Sequence, residues 1–91
     1  MAVTVKIPTQ LRDAAGGQAV AEVDGATVGE VLHALYAAHD ELRERIADAD
    51  GEPRRFVNVY LAGEDIRFLD GLATPVPDGA EVTILPAVAG G

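Results

Sequence analysis

With 91 residues and 48 % apolar content, the chain makes one folded domain, with room for a modest core but not for a substrate pocket walled by two layers. A formal net charge of −8 repels nucleic-acid phosphates and suits docking onto basic patches of protein partners. Neither Cys nor Ser occurs, which excludes disulfides, thiolate metal sites, persulfide carriage, and cysteine or serine nucleophiles.

Val3, Val5 and Ile7 alternate with Thr4 and Lys6, the period-two pattern of a half-buried strand. Pro8 ends it, because proline cannot donate to a ladder. A loop through Gly16 and Gly17 leads to a weaker strand over 18–23, and Asp24-Gly25 closes this hairpin. Thr27 and Glu30 have the spacing of a capping box, in which each side chain satisfies an orphan amide at a helix start. Val28, Val31, Leu32, Leu35, Leu42 and Ile46 then recur at spacings that mark one buried helical stripe, with a break expected near His39-Asp40. Glu30, Asp40, Glu41, Glu44 and Asp48 read as the solvated face, with Asp40–Arg43 and Glu41–Arg45 as its ion pairs.

Asp50-Gly51-Glu52-Pro53 is a turn, and residues 56–61 (Phe56 to Leu61) form the clearest strand pattern. Ala62-Gly63-Glu64-Asp65 turns back into a short strand expected over Ile66-Arg67-Phe68. Pro77-Asp78-Gly79-Ala80 is a further turn, since proline presets φ and glycine permits positive φ. The last strand covers 81–85, closed by Pro86.

This order predicts a two-layer α+β domain over residues 1–86, a mixed sheet with one main helix packed across one face. Val3, Val5, Ile7, Val57, Val59, Leu61, Val82 and Ile84 face the helix. By alternation Phe56, Tyr60 and Leu85 face the other way, where no second layer remains to cover them. They are the expected partner-docking patch, with Leu85 at the base of the tail. A one-residue slip in register would reverse the faces.

Several features read as structure rather than chemistry. His33 and His39 are six apart, roughly 240° around a helix, so they cannot share a face as metal ligands would. Gly16-Gly17 lacks P-loop spacing and a following Lys-Ser/Thr. Arg54 and Arg55 are expected to be exposed, and two charges do not make a nucleic-acid site. No run of 18 apolar residues spans a membrane, and the N-terminal residues carry no secretory pattern, so the cytoplasm is the expected location.

The tail is where chemistry can reside. From Pro86 the chain continues Ala87-Val88-Ala89-Gly90-Gly91, without a charge and without a side chain larger than valine. Five extended residues reach about 17 Å, enough to thread a narrow channel in another protein. Glycine leaves the terminal carbonyl carbon open from either face. An ionised α-carboxylate can attack the α-phosphate of ATP, and a sulfur nucleophile can then replace the adenylate to leave a thiocarboxylate. Two terminal glycines arise by chance in about one chain in 200, so the pair alone is a moderate signal. Joined to a charge-free tail directly after a final strand, it is a strong one.

Phe56-Val57-Asn58-Val59-Tyr60, Asp78-Gly79-Ala80-Glu81-Val82 and the terminal Leu85-Pro86-Ala87-Val88-Ala89-Gly90-Gly91 resemble the MoaD/ThiS family of sulfur carriers. The resemblance covers essentially the whole chain in order, most specifically its last seven residues. It implies a β-grasp (ubiquitin-like) fold and adenylation by a MoeB/ThiF-type activating enzyme using ATP. It further implies a thiocarboxylate on Gly91, with Gly90 as its required neighbour. Ile84 to Gly91, with Gly63-Glu64-Asp65-Ile66-Arg67-Phe68, is more similar to the branch that serves cysteine biosynthesis. There the carrier gives sulfur to a PLP-dependent cysteine synthase acting on O-phosphoserine, and a metalloprotease frees the cysteine. On that reading the synthase holds PLP and this chain binds no cofactor. The molybdopterin-synthase small subunit usually has a proline pair where this chain has Pro86-Ala87. That role, a ubiquitin-like protein modifier conjugated through Gly91, and a non-covalent binding module remain the alternatives.

Overall fold

The computed structural model describes residues 2–54 and 57–86. Its strands are β1 (Ala2–Lys6), β2 (Val20–Asp24), β3 (Val57–Leu61), β4 (Glu64–Asp65) and β5 (Glu81–Pro86), and its helices are α1 (Val28–Ala38) and α2 (Asp40–Ile46). The strands form one mixed sheet in the order β2-β1-β5-β3-β4. β1 pairs antiparallel with β2 and parallel with β5, and β3 lies antiparallel to both β5 and β4.

The hydrophobic pattern sets this arrangement. Val3 and Val5 of β1, Val57 and Val59 of β3, and Val82 and Ile84 of β5 are all buried beneath the helices. Val28, Val31, Leu32 and Leu35 of α1 and Leu42 and Ile46 of α2 close the other side of that core. Each such side chain removed from water contributes about 1.5–3 kcal/mol. The faces expected from alternation in β1, β3 and β5 are the faces found.

At the start of α1 the amide of Glu30 donates to Thr27 Oγ1 at 3.2 Å. The Glu30 carboxylate accepts from the amide of Ala26, one residue before the cap, also at 3.2 Å. The expected helical break falls at His39, whose φ of −140° and ψ of 88° leave the helical region. α2 restarts immediately and brings Leu42 and Ile46 back to the same core.

Four local readings change. The segment before Gly16 is a 3-10 helix over Thr9–Ala15, because Leu11, Ala14 and Ala15 bury against the core at helical spacing. The short strand is Glu64–Asp65, and Ile66–Phe68 is a 3-10 turn whose start is capped by Asp65. Arg45 forms a bidentate pair with Asp13 at 3.1 and 3.3 Å, where Glu41 was the expected partner, since α2 packs on the 3-10 helix carrying Asp13. Arg54 is half-buried, and its guanidinium donates to the carbonyl of Glu44 near the end of α2 at 3.0 Å. Arg55 lies outside the described residues.

Candidate functional site

Strand register brings one set of side chains together on the face that no helix covers. Lys6 stands opposite Val20 on one side and Thr83 on the other, Thr83 opposite Tyr60, and Tyr60 opposite Asp65. One row therefore crosses all five strands. Leu85 stands opposite Asn58, diagonal to Tyr60 at about 7 Å. Leu85 is 45 % exposed, Val20 is 46 % exposed, and Tyr60 is half-buried.

This face has two halves. Toward the end of β5 it carries Leu85, Asn58, Tyr60 and Thr83. Toward the opposite end it carries Glu22 and Glu81, either side of Thr4, and Asp24 beside Ala2. Lys6, the sole lysine of the chain, lies between the halves and pairs with Glu81 at 3.5 Å, both side chains about half exposed. An exposed pair of this kind is worth at most about 1 kcal/mol. The apolar half adjoins Pro86, which is in register with Val57.

Of the residues singled out in the sequence, Tyr60 and Leu85 share this surface. Phe56 and the tail residues Ala87, Val88, Ala89, Gly90 and Gly91 lie outside the described residues. His33 is exposed on α1 and His39 half-buried at the junction with α2. Among the described residues no three His, Cys, Asp or Glu side chains group as a metal site would.

The helical layer holds a cleft of about 660 Å³ between α1, the end of α2 and the loop to β3, lined in part by Leu32, His33, Tyr36, Arg43, Arg54 and Leu72. The Tyr36 hydroxyl is buried with no hydrogen-bond partner among the described residues. Burial pushes its pKa up from 10.0 to about 12. That inert phenol has no acidic or nucleophilic use near neutral pH.

Sequence reasoning missed Phe68, which is 87 % exposed. Read as a strand, Ile66 and Phe68 would share a face, and the burial of one would imply burial of the other. In a 3-10 turn of three residues per turn they point about 240° apart. The available signal was Asp65, a residue whose side chain closes such turns by bonding the amide two residues on.

A mixed five-stranded sheet with its helices on one face and a polar-to-apolar open face is a ubiquitin-like β-grasp domain. The model of the ThiS family matches residues 5–91. The sulfur carrier protein CysO of Mycobacterium tuberculosis is 50 % identical over the full length of both chains. A chain in the crystal structure of the Amycolatopsis orientalis BexX/CysO complex superposes with a TM-score of 0.90 and 46 % identity, covering 98 % of this chain and 99 % of that one. Small archaeal modifier protein 3 of Haloferax volcanii is 47 % identical over 68 residues, 75 % of this chain and 73 % of that protein. The chain belongs to the ThiS/MoaD family of ubiquitin-like sulfur carriers.

Proposed function

We propose that this protein carries sulfur as a thiocarboxylate on Gly91 and is a protein-bound co-substrate rather than an enzyme. Residues 1–86 act as the recognised body and residues 87–91 as the reactive tail, with Ala87, Val88, Ala89 and Gly90 threading the partner's channel. A MoeB/ThiF-type enzyme joins the Gly91 carboxylate to the α-phosphate of ATP and releases pyrophosphate. A sulfur nucleophile then displaces AMP, and one carboxylate oxygen has been exchanged for sulfur. The terminal sulfur next attacks an electrophilic carbon on the recipient.

The recipient reaction is cysteine formation by a PLP-dependent synthase using O-phosphoserine, followed by release of cysteine by a metalloprotease. The observation that carries this branch is the 50 % identity to CysO along the whole chain. Tyr60 and Leu85, with Phe56, supply the docking patch beside the tail. Among the described residues no helix is long and apolar enough to cross a membrane. The cytoplasm, where such partner enzymes and ATP are found, is the proposed location.

Incubation with ATP, sulfide and a MoeB-type enzyme should raise the intact mass by the exchange of one oxygen for sulfur, and a chain lacking Gly91 should show no gain. No gain with an enzyme proven competent on its own carrier would overturn the thiocarboxylate. The likeness to small archaeal modifier protein 3 favours a second reading, conjugation of Gly91 to target lysines. It would appear as a ladder of higher-mass species in lysate. Self-conjugation through a side chain could use only Lys6.

A further inference from the structure

The turn Ile66–Phe68 is built to present one side chain. Ile66 is 5 % exposed and anchors the turn in the core. The amide of Arg67 donates to Asp65 Oδ1 at 2.9 Å, and that of Leu69 to the carbonyl of Ile66 at 3.0 Å. The Arg67 guanidinium folds back and donates to the Val57 carbonyl at 2.9 Å, on the stretch of β3 that the two-residue β4 leaves unpaired. Three residues are thus pinned by one buried side chain and three hydrogen bonds, and Phe68 is left outside, 87 % exposed. Leu69 follows at 37 %. Glu64, Asp65 and Asp70 flank this apolar pair in sequence, three carboxylates against the one cation of Arg67, whose guanidinium is turned onto the Val57 carbonyl.

We infer that Phe68 is the anchor by which the domain is held to the activating enzyme that adenylates its tail, in an apolar pocket edged by Arg or Lys. The inference rests on the carrier reading above for the identity of that partner. A rigid aromatic side chain loses little conformational freedom on binding, which is the property of a binding hot spot. The acidic rim sets the sign of the pocket's edge, and the chain's charge of −8 favours the same partner at long range. Asp65, which caps the turn, stands opposite Tyr60 at the end of the row across the open face. Contact from Leu85 at the tail base to Phe68 at the β4 edge fixes the domain's orientation, so that the tail enters its channel in one direction.

The test is the affinity of the full chain and of Phe68→Ala for a MoeB-type activating enzyme, read beside sulfur loading. Phe68 makes almost no internal contact, so the variant should melt as the wild type does. Its Kd should rise roughly 30-fold or more, and Phe68→Leu should lose less. The KM for the carrier should rise with kcat unchanged at saturation, since chemistry at the tail is untouched. Equal Kd and KM for the two chains would overturn the anchor and leave the carrier reading standing. Weakened binding without sulfur gain by the wild type would uphold the anchor and overturn the carrier chemistry. No binding by the wild type would overturn the anchor.

Discussion

Tyr36 is 8 % exposed, and its hydroxyl spends a buried position on no hydrogen bond among the described residues. Deleting only that oxygen removes a desolvated group while keeping the ring in the core. Tyr36→Phe should therefore be neutral or stabilising, by up to about 1–3 kcal/mol, in urea unfolding at pH 7. The pH dependence has a definite sign. The folded pKa of about 12 lies above the unfolded value of 10.0, so the neutral phenol of the fold is fully favourable below pH 10. Stability should fall as pH rises from about 10 to 12, by roughly 2–3 kcal/mol in all. Comparing the two chains at pH 9 and pH 11 isolates this effect, because Tyr36→Phe should lack that share of the decline.

The joint between β2 and α1 depends on a missing side chain. A Cβ on Gly25 would lie 2.7 Å from the backbone nitrogen of Val31 and 2.8 Å from its Cγ2. The obstacle is backbone, so it cannot rotate away. Gly25→Ala should destabilise the domain by about 1–3 kcal/mol, lowering Tm by roughly 4–8 °C for each kcal/mol. At this scale the sequence was informative wherever an element had a strong period. The capping box at Thr27, the stripe from Val28 to Ile46 and the alternation in β3 and β5 each follow from one buried face. The turn Ile66–Phe68 was illegible for the opposite reason, since three residues carry no period, and the helix Thr9–Ala15 shows only Leu11, Ala14 and Ala15 as its buried set, too few to separate it from a loop.

At the scale of the whole molecule, the carboxylates are spread over the helical surface, the open sheet face and the Phe68 rim. Association with a basic partner should be steered by this field. Raising ionic strength should slow association by about tenfold or more while dissociation changes little, as read by stopped-flow mixing with the activating enzyme. Insensitivity to salt would mean that the acidity serves only solvation. In the proposed docking, the open face would combine this long-range attraction with short-range apolar contact at Tyr60 and Leu85, next to the end of β5.

The sequence by itself determined the order of the main strands and helices, the buried faces of β1, β3 and β5 and the break at His39, because burial on one side imposes a period that can be read residue by residue. It also marked Leu85 and Tyr60 as facing away from the helices. Only the tertiary structure decided what those residues stand beside. The row from Val20 through Lys6, Thr83 and Tyr60 to Asp65 joins segments far apart in the chain, and hydrogen-bond register between strands sets it. Tertiary packing likewise turned Phe68 outward. Ile66 claimed the core position and Arg67 claimed the β3 edge, and neither partner is a neighbour in sequence.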